Sequence, residues 1–122
     1  MILTKLPPNN TKYVFVFGSN LAGYHGAGAA AQAVRQFGAK MGQSYGLQGQ
    51  SFAIPTKDSS LKSLDPETIN YYLSQFKTFA LYHPHLTFLL TPVGTGLAHI
   101  PVEQLELTND LPGNVVYLPD IQ

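Results

Sequence analysis

The sequence predicts an α/β domain: a central, mostly parallel (mixed) sheet in a three-layer α/β/α arrangement. Three observations lead there. Short runs of β-branched and aromatic residues alternate with segments of helical apolar periodicity. Polar or glycine-rich loops follow the runs directly. No internal repeat or long low-complexity tract breaks the alternation. A length of 122 residues with 44% hydrophobic content fits one domain over 1–122, with its core in about 13–118.

Taken in order, Tyr13–Phe17 (YVFVF) reads as a strand buried on both faces, followed by a loop over 18–26. Helix-favouring residues run from Ala27 to about Lys40, with Ala30, Val34 and Phe37 on one face. Residues 42–50 (GQSYGLQGQ) read as a connection, and Ser51–Pro55 as a strand stopped by its proline. Asp65-Pro66-Glu67 is a helix start, with Asp as N-cap, Pro in the first turn and a carboxylate beside it. Ile69, Tyr72, Leu73, Phe76 and Ala80 continue it as one apolar stripe, ending near His83-Pro84. Leu86–Thr91 is a third buried strand, Val102–Leu107 a short amphipathic helix and Val115–Leu118 a last strand.

Composition narrows the function classes. The absence of cysteine excludes disulfides and thiolate metal or redox sites. No apolar run approaches the ~18 residues of a membrane span, and the N-terminus lacks a secretory h-region, so a cytoplasmic, membrane-free protein is expected. The net charge of zero hides an asymmetry. Up to Lys57 the chain holds Lys5, Lys12, Arg35, Lys40 and Lys57 without one acid, and every carboxylate lies from Asp58 onward. A carboxylate-free half with a glycine loop suits an anionic ligand, unless folding mixes the charges over the surface. So few basic residues exclude an extended duplex-binding face.

Loops 18–26, 56–60 and 93–99 each follow a strand and are expected to meet at one crevice outside the strand ends. Residues 26–31 (GAGAAA) satisfy a dinucleotide-binding pattern, but eight residues separate Phe17 from Gly26 and no acid precedes Asp58. A P-loop fails because Tyr24-His25 replaces its Lys-Ser/Thr pair. What remains is a helix N-terminus around Gly26–Ala29 that offers free N–H groups to an anion, or glycines that only permit tight packing. Gly94 and Gly96 would wrap a second phosphate, with Thr95 adding a hydroxyl donor. Two such loops at one sheet edge suggest a diphosphate. Lys57, beyond Ile54-Pro55-Thr56, is a surface charge, a phosphate or ribose contact, or an amine nucleophile.

Asn20-Leu21 followed by His25-Gly26-Ala27-Gly28-Ala29-Ala30, with Pro92-Val93-Gly94-Thr95-Gly96-Leu97 later, resembles the two phosphate loops of the macrodomain (ADP-ribose-binding) family. Thr56-Lys57 is similar to a pair in its lysine-dependent branch, the terminal ADP-ribose glycohydrolases and DNA ADP-ribosylation antitoxins. The resemblance implies that ADP-ribose, or an ADP-ribosylated macromolecule, is the partner, and that no cofactor or metal is required. It places Ser19, Asn20 and Leu21 with Gly26–Ala29, Thr56 and Val93–Leu97 around the ligand, Asn20 on the distal ribose. It also implies Lys57 as nucleophile at the anomeric carbon. Where that branch carries an assisting carboxylate, this chain has Ala98, and His99 or Asp58 is the substitute base. The chain is thus a possible ADP-ribosyl hydrolase or a non-catalytic reader.

Two readings from other classes stand beside it. An interaction domain that keeps the fold without the ligand would use Tyr71-Tyr72 and Phe76–Phe79 as an interface. A metal hydrolase would use His83 and His85, but no carboxylates cluster near them in sequence.

Overall fold

A computed structural model describes residues 12–96 and 98–120. Its elements are β1 (Tyr13–Asn20), α1 (Gly28–Gln36), β2 (Gly46–Gln48), β3 (Ser51–Lys57), α2 (Pro66–Leu81), β4 (Thr87–Leu90) and β5 (Val115–Tyr117). They form an α/β fold on one five-stranded mixed sheet in the order β2-β3-β1-β4-β5. β3, β1, β4 and β5 are parallel, and β2 adds to β3 antiparallel.

The alternation of β1 explains how both helices are held. Phe15 and Phe17 join a cluster with Ala30, Ala33 and Phe37, on and just beyond α1. Val14 and Val16 point the other way, into a larger cluster with Ile69, Leu73, Phe76 and Ala80 of α2. Helix α1 meets the sheet through small alanines, whereas α2 meets it mainly through large side chains. Phe52 lies between 5.1 and 6.4 Å, centroid to centroid, from the rings of Tyr45, Phe76, Phe79 and Phe88. Truncating a phenylalanine so enclosed costs about 3–5 kcal/mol.

Helix α2 starts as its sequence requires: the Asp65 side chain accepts the Thr68 N–H at 2.7 Å, with Pro66 in the first turn. Its stripe is buried at Ile69, Leu73, Phe76 and Ala80, with Tyr72 packed partly against it. Phe76 is therefore core, and Phe79 is partly buried with its ring stacked 3.9 Å from that of His83. The aromatic interface expected over 76–79 is not offered to a partner. Of the aromatic residues expected there, Tyr71 alone is exposed.

Several boundaries differ from the sequence reading. β1 continues through Gly18 to Asn20, because those residues pair with Ile54, Pro55 and Lys57 of β3. The first loop is correspondingly shorter. Helix α1 stops at Gln36, and Val34 lies on its exposed side, with Ala33 taking the buried position. Residues 46–48, expected as connection, form β2. Pro55 does not stop β3. The Phe15 N–H donates to the Gln50 carbonyl, so even-numbered residues of β3 bond towards β1. Pro55 thus turns its missing N–H to the opposite side, where the β2 ladder has already ended at Ala53. The helix expected over 102–107 is a single 3-10 turn, Val102–Gln104.

Candidate functional site

The strand order places a crevice before any side chain is considered. From β1 the chain moves to β3 on one side of the sheet, whereas from β4 it moves to β5 on the other. The connections diverge outside the carboxyl ends of β1 and β4, the position where open α/β sheets bind ligands. A cleft of about 580 Å³ occupies that position. All three expected loops reach it: Ser19, Asn20 and Gly26–Ala29 from the first, Thr56 and Lys57 from the second, and Val93–Gly96 from the third.

The first loop is shaped by side chains. Asn20 Nδ2 donates to the Tyr24 carbonyl at 2.8 Å, and its Oδ1 accepts the Tyr24 N–H at 3.0 Å. This clamp, rather than a ribose contact, occupies both ends of the buried amide. Ser19 Oγ donates to the Ser44 carbonyl at 2.8 Å, tying the loop to the segment before β2. Gly23 sits at φ +70°, and a Cβ there would lie 2.5 Å from the Gly42 carbonyl carbon. Only glycine meets both conditions. Behind the loop, His25 is buried with Nε2 at 3.1 Å from the Gln43 carbonyl and 3.2 Å from Gln48 Oε1. The Lys40 N–H also donates to that Oε1, which fixes the amide's orientation. Facing two acceptors, Nε2 is the donor, and Nδ1 has no partner among the described residues.

Helix α1 then begins without a cap. Its N-cap is Ala27, no side chain caps it and no acid lies in its first turn. Among the described residues nothing accepts from the N–H groups of Gly28, Ala29 and Ala30, all of which line the cleft. A helix end in this state presents free donors and the positive end of its dipole.

The third loop is shaped by its own backbone. Val93 N–H donates to the Thr91 carbonyl at 2.7 Å, and Ile100 N–H to the Gly94 carbonyl at 2.9 Å. Gly94 at φ +83° makes the turn. Thr95 Oγ1 donates to the Pro92 carbonyl at 2.7 Å, so the hydroxyl expected for a phosphate is engaged in the loop itself. The N–H groups of Gly94 and Gly96 have no acceptor among the described residues.

Lys57 is the last residue of β3, half-buried, beside Asn20 in the β1–β3 register. It is the one charged side chain among the described lining residues, which include no Asp or Glu. The Asp58 carboxylate turns away to accept the N–H groups of Ser60 and Lys62, at 2.8 and 3.0 Å. Thr56 Oγ1 is used within the sheet, on the Ser19 carbonyl at 3.2 Å. Ala98 does line the cleft, so the position of the expected acid is in place and holds a methyl group.

Three expected residues fall elsewhere. His99 is exposed at φ +58° and is not part of the lining, so it is not brought to Lys57 as a base. Leu21 is exposed outside the cleft and contributes only its N–H, donated to the Lys57 carbonyl at 2.9 Å. Leu97 lies outside the described residues. Sequence reasoning missed Tyr24 and Leu61, which line the cleft although both side chains are largely exposed. Their only signal was large apolar character inside a polar loop. His83 holds the Phe79 carbonyl at 2.7 Å from Nδ1, and the described residues contain no group of three metal-ligating side chains. No described helix is long and apolar enough to cross a membrane. Set against the known protein families and the curated proteins, the sequence matches none.

Proposed function

We propose that this chain binds ADP-ribose, or a closely related nucleotide diphosphate sugar, in the cleft at the carboxyl ends of β1 and β4. The observation that carries the reading is the uncapped start of α1, which shares the cleft with the free N–H groups of Gly94 and Gly96. Two sets of backbone donors in one cleft suit two linked phosphates, and the single lining charge, Lys57, has the matching sign. The macrodomain resemblance of the same segments supplies the identity of the sugar nucleotide. Calorimetry with ADP-ribose tests the proposal: heat of binding is expected, and its absence at millimolar ligand sinks it. Replacing Lys57 with methionine is expected to weaken binding about tenfold, one charge-assisted contact.

A second reading, removal of ADP-ribose from a modified macromolecule, is favoured by the place of Lys57 in the lining. The amine, in its neutral form, would attack the anomeric carbon, forming an N–C bond as the bond to the attached group breaks. With Ala98 at the acid's position and Asp58 turned into its own loop, water must supply the proton to that group. A second water would then hydrolyse the adduct on the amine, releasing ADP-ribose and restoring Lys57. Single-turnover release by wild type and Lys57→Ala separates the two readings. Release that the mutation abolishes establishes cleavage by Lys57, and no release from either protein leaves a reader.

A further inference from the structure

The third loop of the cleft carries one of the two sets of backbone donors, yet few polar contacts tie it to its surroundings. Its anchor in the sheet is Thr91, whose N–H and hydroxyl both donate to the Val16 carbonyl. Beyond Thr91, the hydrogen bonds of residues 92–100 close within the loop, with one exception among the described residues. Ser63 Oγ donates to the Ala98 carbonyl at 2.6 Å. Val93, Ala98 and Ile100 also pack into the core, but apolar contact is non-directional and does not by itself set a position. Ser63 is exposed and lies outside the cleft lining, whereas Ala98 belongs to it.

The bond starts from an arm built directly onto Lys57. After β3 the chain reverses over 59–61 and returns antiparallel. The Asp58 N–H donates to the Lys62 carbonyl at 2.7 Å, and the Leu64 N–H to the Thr56 carbonyl at 2.9 Å. Lys57 and Ser63 are the opposed pair between those two bonds, and opposed residues of an antiparallel pair share a face. The reversal is held firmly. The Asp58 carboxylate accepts the N–H groups of Ser60 and Lys62, and Leu61 takes φ +66°, the left-handed position of a three-residue hairpin loop. A leucine keeps that conformation only where its surroundings impose it.

We infer, resting on the ADP-ribose reading above and deepening it, that Ser63 is a positioning residue. Its bond to Ala98 fixes the third loop at the distance from Lys57 that one ligand spans. Lys57 is itself anchored in the sheet, opposite Asn20, and its carbonyl accepts the Leu21 N–H at 2.9 Å. The loop is the less tethered side, and the arm carries the Lys57 anchor across to it. An amine and a pair of backbone N–H groups act together on one molecule only while their spacing is held, so a small shift weakens the contact at either end.

A double-mutant cycle read by calorimetry with ADP-ribose tests this. Ser63→Ala is expected to weaken binding about fivefold in the wild-type background and by less than about twofold in Lys57→Met, where there is no amine to keep in register. Ser63→Thr keeps the hydroxyl and is expected to bind as wild type. A merely structural serine would give the same loss in both backgrounds. That result, an unchanged affinity in Ser63→Ala, or a loss shared by Ser63→Thr overturns the positioning role and leaves the ADP-ribose reading intact. Failure of the wild type to bind ADP-ribose overturns both.

Discussion

Helix α2 starts on Asp65, whose carboxylate accepts the Thr68 N–H, with Pro66 and Glu67 completing the first turn. Helix α1 starts on Ala27, whose methyl group accepts nothing, and its first turn holds no acid. The difference follows their surroundings. The α2 cap is exposed and bound to nothing beyond its own helix, so the chain supplies the anion itself. The α1 start opens on the cleft, where an internal carboxylate would occupy the place of an incoming anion. A helix end left uncapped beside a cavity is therefore less stable than it could be, and under the proposed function the bound anion would supply the missing acceptor.

The largest expected effect comes from making the two ends alike. Ala27 has the extended backbone of an N-cap, φ −150° and ψ 160°, so Ala27→Asp is accommodated there. It is expected to raise stability by about 1 kcal/mol and to weaken ADP-ribose binding on the order of 100-fold, by occupying the free donors. Unfolding in urea and calorimetry read the two effects. A variant that gains stability and still binds as wild type would show that α1 is not the anion site.

Asn20→Ala sharpens the comparison from the side of the approach. It removes both bonds to the Tyr24 backbone within a part-buried loop, for an expected loss of about 2 kcal/mol in urea unfolding. A loss below half of that would mean the loop before α1 is held mainly by the Ser19–Ser44 bond and by the Gly42 N–H donated to the Gly23 carbonyl. Thr95→Ala comes next, at about 1 kcal/mol or less, with ADP-ribose affinity changed by less than about threefold, because the hydroxyl is engaged by the Pro92 carbonyl. A tenfold loss of affinity would show that the hydroxyl turns to the ligand instead.

The smallest effect is confined to α2 and to acid. The hydrogen bond from the Thr68 N–H holds the Asp65 carboxyl below its ordinary value of 3.8. Its stabilising contribution is therefore complete above that value and lost as pH falls through the lower, folded-state pKa. Asp65→Ala should lower Tm at neutral pH and flatten the acid limb of the Tm–pH curve. An unchanged curve would mean the cap contributes nothing, and with it the contrast between the two helices.

The sequence by itself determined the classes and order of the main elements. Buried runs such as Tyr13–Phe17 and Thr87–Leu90, and the stripe and cap of α2, are local signals that depend on side-chain type and spacing alone. It also determined the candidate cleft, since most of the residues expected at a ligand line one cavity. What it could not carry are outcomes settled by distant partners. β2 has no strand pattern of its own and exists because β3 offers it a ladder. Asn20, Ser19 and Thr95 look like ligand donors in a one-dimensional reading, yet each has a carbonyl within reach that takes its hydrogen bond first. His99, adjacent to the cleft residue Ala98, is exposed because the backbone reverses at φ +58°. Residue type and period are properties of the chain. Whether a polar side chain is free depends on the groups that folding brings within about 3 Å of it, and only the tertiary structure decides that.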